Sequence, residues 1–329
     1  MKIAILGAGA WGTALAINLS SRHQVTLWTK DPQHLAELTA QRINQQFLPG
    51  FFLPESLCLT STLKVALDAA EIALIVVPVA GLRETLRGIV ATGITVPVVW
   101  GCKGFESQLA KLPHQIVQEE FGRAAPSGVL SGPSFAQEVA QGLPTALTLA
   151  SHDDEFSQKI AHQLHSARLR VYSSKDVIGV EVGGAIKNVI SIAAGISDGM
   201  SFGHNARAAL MTRGLMEITR LGIKLGGCLE TFMGLSGVGD MILTGTGDLS
   251  RNRQVGLMLA KNLSLSEILQ QLGHVAEGVH AAEAAKSLSR ELDIEMPITQ
   301  AIYSILYEGL PAREAVEILL NRDPKIEHF

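Results

Sequence analysis

The chain has 329 residues, of which 47% are hydrophobic and 18% are charged, and its formal net charge is −4. This composition predicts a soluble globular protein with a large core divided between two domains, and it excludes a disordered chain. The small negative charge favours neither nucleic acid nor an anionic membrane as a partner.

Apolar runs and cysteines indicate the compartment. The longest apolar run, Ile72–Val79, is too short to span a bilayer, and no signal peptide is visible because the apolar start runs straight into a glycine loop. Cys58, Cys102 and Cys228 lack CxxC spacing, which favours buried thiols in a reducing cytoplasm. We therefore expect a cytoplasmic protein without a membrane span.

The N-terminal strand Lys2–Leu6 leads into the sequence GAGAWG at residues 7–12, and a helix pattern follows. Gly7 permits a tight turn, Gly9 lets the backbone approach a pyrophosphate, and Gly12 allows the helix to pack closely on the strand. The helix start offers N–H groups and the positive end of its dipole to phosphates. GxGxxG alone is a weak signal, but the strand before it and the helix after it predict a dinucleotide site of the Rossmann type.

The second strand, Gln24–Trp28, ends without the acidic residue that an NAD-specific site usually places there to bind the ribose 2′-hydroxyl. Thr29 and Lys30 occupy the strand tip, and Lys30 could neutralise a 2′-phosphate. Asp31 is expected to cap the next helix, with Pro32 at its first position. The sequence therefore favours NADP without excluding NAD, and the alternative is that Lys30 is a solvated surface lysine.

Strands continue to alternate with helices. The predicted strands are Leu57–Leu63, Ile72–Val77 and Val96–Trp100, and the predicted helices are Leu35–Arg42, Leu82–Thr92 and Leu112–Phe121. Such alternation predicts a mainly parallel, doubly wound sheet, which binds ligands at the carboxyl ends of its strands. At that edge we expect Pro78 and Lys103, together with Gly132, which allows close backbone approach, and Ser134 as a helix N-cap.

The α/β pattern ends with a helix capped at Ser151 and the strand Arg168–Tyr172. We therefore predict a dinucleotide-binding Rossmann domain over 1–178 and an all-helical substrate domain over 179–329. The predicted helices of the second domain are Gly179–Ser201, His204–Leu225, Ser266–Leu272, His280–Leu292, Pro297–Leu310 and Pro311–Asn321, with a capping box at Ser264–Glu267. His162 and His165 have no third ligand in view, so we expect no metal.

The helix Gly179–Ser201 carries Lys187 and Asn188 within an apolar pattern. Its buried stripe is Val182, Ile186, Val189, Ala193 and Ile196, and a second face of small or polar residues is Gly184, Asn188, Ser191 and Gly195. Burial destabilises the ammonium, so the pKa of Lys187 should fall toward the range useful for proton transfer. The alternative is a snorkelling or ion-paired structural lysine.

Two further clusters lie between the later helices. Glycines surround Asp240 in the segment 234–244, which ends at Thr244, and this pattern suggests a backbone packed around a fixed carboxylate. Ser250-Arg251-Asn252 offers a hydroxyl, a guanidinium and an amide, which suit a phosphate or a carboxylate. A helix cap followed by solvated arginines would give the same pattern, but the cofactor fold upstream favours a substrate site.

The motifs GAGAWGTALA, CKGFE, SGPSFA, EVGGAIKNVI, NARAALMTRG, GLSGVGDMILT and SRNRQ occur in this order. In order and content they resemble the bacterial NAD(P)-dependent glycerol-3-phosphate dehydrogenase family over nearly the whole chain. The resemblance implies reversible reduction of dihydroxyacetone phosphate to sn-glycerol 3-phosphate for glycerophospholipid synthesis, by an enzyme that is commonly a homodimer. One departure is Ala10, where many family members carry Ser, so one hydroxyl contact near the pyrophosphate is missing.

The resemblance, together with the motifs described above, predicts roles for particular residues. Lys187 would be the proton donor and acceptor, assisted by Asp240, Asn188 and Lys103. The substrate site would comprise Lys103, Gly132, Ser134, Lys187, Asp240, Thr244, Ser250, Arg251 and Asn252. The cofactor site would comprise Gly7, Gly9, Ala10, Trp11, Gly12, Lys30, Pro78, Lys103, Ser134, Ala136, Arg251, Val275 and Glu277.

Two alternatives stay open. A 3-hydroxyacid or 6-phosphogluconate-type dehydrogenase has the same layout and also uses a helical lysine. A non-catalytic NAD(P)-sensing module would keep the nucleotide fold, although the lysine, aspartate and Ser-Arg-Asn set argues against it.

Overall fold

The structure is a computed structural model that describes residues 1–107, 109–122, 125–272 and 276–323. The chain forms two compact units, Met1–Lys103 with Pro113–Val177, and Gly104–Leu112 with Ile178–Phe329. The segment Gly104–Leu112 belongs to the second unit because Phe105 and Leu112 are buried in its core. The domain boundary at residues 178/179 stays a prediction.

The first unit is built on a sheet of eight strands. The strands of the unit are β1 Lys2–Leu6, β2 Gln24–Trp28, β3 Ile43–Asn44, β4 Leu48–Phe52, β5 Cys58–Thr60, β6 Ile72–Ile75, β7 Val98–Trp100, β8 Ser127–Ser131, β9 Thr145–Ala150 and β10 Leu169–Ser174. The sheet has the order β10-β9-β8-β7-β6-β1-β2-β5 and is parallel except where β8 pairs with β9, while β3 and β4 form a separate antiparallel pair. The predicted, mainly parallel sheet is confirmed.

Helices connect these strands. They are α1 Ala10–Leu19, α2 Pro32–Gln41, α3 Leu63–Leu67, α4 Val79–Ala91, α5 Pro113–Glu120, α6 Ala136–Ala140 and α7 Asp154–Leu164. The strands β1 and β6 at the centre of the sheet are almost fully buried apolar runs, as expected when helices cover a parallel sheet on both faces. The first unit therefore has a Rossmann-type architecture.

The described residues of the second unit after 178 form helices and no strand. The helices are α8 Val177–Gly199, α9 Gly203–Lys224, α10 Leu229–Phe232, α11 Asp240–Thr246, α12 Arg251–Leu259, α13 Leu265–Leu272, α14 Glu277–Glu291, α15 Pro297–Tyr307 and α16 Ala312–Leu320, with a π-helical turn at Leu235–Gly239. The capping box is present, since the Glu267 N–H donates to Ser264 Oγ and the Ser264 N–H donates to Glu267 Oε2.

Helix α8 is the core of the second unit. Its predicted apolar stripe is at most 6% exposed. The helix is long and apolar enough to cross a membrane by length and composition, but 94% of its most apolar 18-residue window is buried inside the protein. That burial is the pattern of a core helix.

Several local predictions are wrong. The strand predicted at Leu57–Leu63 is only Cys58–Thr60, because helix α3 already begins at Leu63. Ser151 does not cap α7: the Asp153 carboxylate accepts from the Phe156 N–H and takes that role. The expectation of three buried thiols fails for two of them, since Cys58 and Cys228 are exposed and Cys102 is buried.

Candidate active site

The glycine loop joins β1 to α1 in the geometry that a pyrophosphate requires. Gly7 has a φ of +121°, and a side chain at Gly12 would place its Cβ 1.9 Å from the Gly7 carbonyl oxygen. A Cβ at Gly9 would meet nothing within 4 Å, so the space over this residue is open. Gly9 is also the N-cap of α1, and it makes no side-chain cap bond to the first-turn N–H groups. The loop fits a dinucleotide pyrophosphate.

A buried polar network supports this loop. The Thr29 hydroxyl contacts His34 Nδ1 at 3.1 Å, and His34 Nε2 contacts Asn44 Oδ1 at 3.1 Å. The Asn44 amide nitrogen donates to the Ala8 carbonyl and to Thr13 Oγ1, both at 2.8 Å. The network links the tip of β2 to the glycine loop, and the sequence pattern contains no signal for it because the residues belong to four separate elements.

At the tip of β2 the structure places the predicted cap and the predicted cofactor lysine. Asp31 Oδ1 accepts a hydrogen bond from the Gln33 N–H at 2.8 Å, which confirms Asp31 as the N-cap of α2. Lys30 Nζ lies 2.6 Å from Glu84 Oε1, and Glu84 is on α4. Lys30 is therefore exposed but paired, with a partner that the sequence did not indicate.

Three of the residues expected at the carboxyl edge lie together. Lys103 Nζ donates to the Gly132 carbonyl oxygen at 3.1 Å, and Ser134 Oγ donates to the same oxygen at 3.0 Å. Ser134 is not the predicted N-cap of α6, because Phe135 occupies that position and the serine hydroxyl bonds back to Gly132. Ala136 is the first residue of α6.

The fourth residue expected at this edge is Pro78, and Trp11 is a further predicted cofactor contact. Pro78 is the N-cap of α4. The Trp11 indole lies against the backbone after β7, since a Cβ on Gly101 would be 3.2 Å from Trp11 Nε1. Pro78 therefore lies in the loop that follows β6, and Trp11, in the first turn of α1, lies against the loop that follows β7.

In the second unit, Lys187 is the centre of a buried cluster. Lys187 Nζ donates to Asp240 Oδ1 and to Thr244 Oγ1, each at 2.7 Å, and the Thr244 hydroxyl donates to the Asp240 carbonyl oxygen at 2.7 Å. Lys187 and Asp240 are 6% and 1% exposed, so the lysine does not snorkel to solvent. Burial destabilises its ammonium and the carboxylate stabilises it. The lowered pKa of Lys187 stays a prediction.

Glycines bring Asp240 to the lysine. A Cβ at Gly183 on α8 would lie 2.6 Å from the Ser236 carbonyl oxygen, and one at Gly237 would lie 2.0 Å from the Phe232 carbonyl oxygen. The π-helical turn therefore packs directly on the backbone of α8, and Asp240 follows it as the first residue of α11. The glycine-rich pattern before Asp240 indeed marks a carboxylate held by close packing.

A second chain of hydrogen bonds starts at Asn188, beside Lys187. Asn252 Nδ2 donates to Asn188 Oδ1 at 2.9 Å, and the Gly278 N–H donates to Asn252 Oδ1 at 3.0 Å. A Cβ at Gly278 would lie 2.7 Å from Asn252 Oδ1, so this position has no room for a side chain. Helices α8, α12 and α14 are thus tied together, and the sequence indicated Asn188 and Asn252 but not Gly278.

The Ser-Arg-Asn motif begins α12. The Ser250 hydroxyl accepts from the Arg253 N–H at 3.2 Å as the N-cap, and Arg251 is the exposed first residue of the helix. Glu277 is the first residue of α14, one position before Gly278. Val275 lies outside the described residues. The alternative reading of this motif as a helix cap is correct for Ser250, and an exposed arginine at a helix N-terminus also suits a phosphate.

Comparison with known proteins identifies the family. The model described as the NAD-dependent glycerol-3-phosphate dehydrogenase N-terminus matches residues 2–157, and the model of the C-terminus of the same enzyme matches residues 176–317. The chain belongs to the NAD-dependent glycerol-3-phosphate dehydrogenase family. The expected resemblance and the predicted fold class are confirmed.

Individual relatives agree over the whole length. Glycerol-3-phosphate dehydrogenase [NAD(P)+] of Nitrosospira multiformis is 67% identical and covers 100% of both chains. The enzyme of the same name from Nitrosomonas eutropha is 62% identical over 99% of both. The crystal structure of glycerol-3-phosphate dehydrogenase from Coxiella burnetii superposes with a TM-score of 0.93 at 42% identity and covers 98% of this chain and 99% of that one.

Proposed function

We propose that this chain catalyses the reversible, NAD(P)-dependent reduction of dihydroxyacetone phosphate to sn-glycerol 3-phosphate. The observation that carries the proposal is the buried Lys187–Asp240–Thr244 cluster, which holds a proton donor at a defined position. Next to it in the chain, Asn188 is bonded to the helix that carries Arg251. A proton donor and an anion-binding helix start therefore belong to the same unit, as reduction of a phosphorylated ketone requires.

In the proposed reaction, Lys187 transfers the proton, and Asp240 and Thr244 position it. When bound, the reduced nicotinamide cofactor supplies the hydride that adds to the carbonyl carbon. Lys187 Nζ donates a proton to the carbonyl oxygen as negative charge develops there, and the resulting neutral amine regains its proton from solvent. Asp240 and Thr244 hold the lysine nitrogen in place at 2.7 Å each. In the reverse direction the lysine accepts the proton of the secondary alcohol.

The substrate phosphate is assigned to the start of α12. The Arg251 guanidinium and the remaining first-turn N–H groups of the helix would bind this anion, and the Ser250 hydroxyl, which accepts from the Arg253 N–H, keeps its own proton to donate. The Asn252 side chain is engaged by Asn188 and Gly278, so it positions these helices. Binding energy from the phosphate orients the carbonyl.

The cofactor pyrophosphate is assigned to the first unit. Gly7, Gly9 and Gly12 shape the loop for the pyrophosphate, and the open space over Gly9 supports this assignment. Backbone N–H groups at the start of α1 compensate for the hydroxyl that Ala10 lacks. Both NADH and NADPH are accepted in this proposal.

We propose that the enzyme is cytoplasmic, acts at the start of glycerophospholipid synthesis and functions as a homodimer. Light scattering coupled to size-exclusion chromatography would test the dimer, and a mass equal to one chain would contradict it.

The reaction is tested by following the nicotinamide absorbance with two carbonyl substrates and NADH or NADPH, and with 6-phosphogluconate and the oxidised cofactors. Dihydroxyacetone phosphate should be reduced with either cofactor, whereas a 3-oxoacid of similar size should be left unchanged. Oxidation of 6-phosphogluconate in the reverse assay, or turnover of the 3-oxoacid, would favour the alternative dehydrogenases. Cofactor binding without turnover of any substrate would favour the sensing module.

A further inference from the structure

The tip of β2, where enzymes of this fold distinguish the two cofactors, has an unusual arrangement. Thr29 is buried, and its hydroxyl contacts His34 Nδ1 at 3.1 Å and the Asp31 N–H at 3.4 Å. Its side chain therefore points into the protein and is engaged by the fold. We therefore do not expect Thr29 to contact the 2′-position of the adenosine ribose.

Asp31 is also engaged by the fold. Its Oδ1 accepts the Gln33 N–H at 2.8 Å, and this bond caps α2. Lys30 and Asp31 are both exposed, but one carboxylate oxygen of Asp31 serves the cap of α2, whereas the Lys30 ammonium is paired only with Glu84 among the contacts described at this tip. The acidic group beside it comes from another element, since Glu84 lies on α4, whose N-cap is Pro78 at the carboxyl edge of the sheet.

The pair between Lys30 and Glu84 is short but exchangeable. Lys30 Nζ and Glu84 Oε1 lie 2.6 Å apart, and the two side chains are 70% and 71% exposed. Exposed ion pairs contribute little to stability, because water solvates both charges almost as well. A ligand at this tip can therefore displace either partner at small cost.

We propose that Glu84 is the residue that sets the preference between NADH and NADPH. The inference rests on the cofactor site of the proposed function and deepens it. The Glu84 carboxylate accepts a hydrogen bond from the ribose 2′-hydroxyl of NADH, the task that an acidic residue at the strand tip performs in an NAD-specific site. It repels the 2′-phosphate of NADPH, which the Lys30 ammonium attracts. The opposing charges keep both cofactors usable.

The test is direct measurement of the two dissociation constants by nicotinamide fluorescence, which needs no turnover. In Glu84→Gln, removal of one negative charge beside the 2′-phosphate should lower the NADPH dissociation constant about three- to tenfold. The affinity for NADH should fall by a smaller factor. Lys30→Met should move the ratio of the two constants in the opposite direction. The shift in Glu84→Gln should shrink as salt is added, because the charges are exposed.

Asp31→Asn is the matched control. It removes the same charge one residue from Lys30 and keeps the cap of α2, since Asn caps helices as well as Asp does. The ratio of its dissociation constants for NADPH and NADH should stay within about twofold of the ratio in the unmodified protein. This change is well below the one expected for Glu84→Gln. A ratio unchanged in Glu84→Gln, or an equal change in Asp31→Asn, would overturn the assignment.

The same measurements separate this inference from the proposed function. Failure of the unmodified enzyme to bind either cofactor would overturn both. If Glu84→Gln shifts cofactor affinity with the expected sign but the enzyme does not reduce dihydroxyacetone phosphate, the role of Glu84 in cofactor preference would be supported. Only the proposed substrate would then be wrong.

Discussion

Lys187 shows what a buried charge requires of its surroundings. With 6% exposure its ammonium needs a partner inside the protein, and Asp240 at 2.7 Å supplies it. Replacing only one of the two would leave the other charge buried and unpaired. A loss of activity in a single variant is therefore informative only if the variant still folds.

The proposed role of Arg251 in phosphate binding can be tested by comparing a phosphorylated substrate with an unphosphorylated one. In Arg251→Ala, the KM for dihydroxyacetone phosphate should rise about 10- to 100-fold, because a charge-assisted hydrogen bond to the phosphate is lost. The value of kcat should change far less. Steady-state kinetics with unphosphorylated dihydroxyacetone provides the control. The variant and the unmodified enzyme should reduce this ketone with equally low efficiency. An equal loss with both ketones would show that Arg251 does not bind the phosphate.

At the scale of single residues, the sequence reveals polar or charged residues that interrupt an otherwise apolar or glycine-rich stretch. Lys187 could be predicted because it interrupts an apolar helix, and Asp240 because glycines surround it. Thr29, His34 and Asn44 could not, since polar residues in loops and short elements are ordinary, and only the tertiary fold brings them into one network. Glu84 was missed for the same reason.

Helix α8 packs on α12 through glycine backbones. A Cβ at Gly195 would lie 2.1 Å from the Arg253 carbonyl oxygen, and one at Gly256 would lie 2.0 Å from the Ile192 carbonyl oxygen. Such contacts cannot relax by a rotamer change because both sides are backbone. The bond between Asn188 and Asn252 depends on this short distance between the helices.

We predict that Gly195→Ala lowers the free energy of unfolding by about 1–3 kcal/mol, because the two helices must separate to admit the methyl group. Urea denaturation would measure the change. Gly81→Ala on α4 is the matched control: its Cβ would meet Val77 at an ordinary 3.6 Å, and alanine has the higher helix propensity. Equal stability of the two variants would contradict the packing account.

Glu217 couples α9 to the start of α15. Its carboxylate accepts from the Ile298 N–H at 2.6 Å, the Thr299 N–H at 3.0 Å and Thr299 Oγ1 at 2.8 Å. Burial nevertheless raises the pKa of Glu217 from 4.5 to about 7, against the opposing effect of these hydrogen bonds. The folded protein therefore holds this proton more tightly than the unfolded chain does.

The sign of the resulting pH dependence follows from linkage. The stabilisation is fully present below about pH 4.5 and is lost as the pH rises through about 7, by roughly 3 kcal/mol at most. The free energy of unfolding of the unmodified protein should therefore decrease, relative to that of Glu217→Gln, as the pH is raised across this window. Urea denaturation at several pH values would measure the difference, and a difference that is constant or grows with pH would contradict the assignment.

At the scale of elements, the central strands and long helices could be predicted because their apolar periodicity is strong. The short elements could not. The pair β3–β4 and helix α3 are too short for a periodic pattern, and the antiparallel pairing of β8 with β9 depends on contacts between strands. The assignment of Gly104–Leu112 to the second unit depends on the burial of Phe105 and Leu112.

For the whole molecule, we propose that the glycine loop of the first unit binds the cofactor pyrophosphate and that Lys187 of the second unit transfers the proton. This division predicts that the two activities can be lost separately. A change at Lys187 should leave the glycine loop and the cofactor affinity intact, because Gly7, Gly9 and Gly12 belong to the other unit.

The most direct test measures turnover and cofactor affinity in one preparation of Lys187→Met. Reduction of dihydroxyacetone phosphate should fall at least ~10²-fold, because the proposed general acid is removed, while the NADPH dissociation constant stays within about twofold of the unmodified enzyme. The double variant Lys187→Met/Asp240→Asn removes both buried charges and controls for misfolding; it should fold and be equally inactive. Near-normal turnover in Lys187→Met would contradict the account.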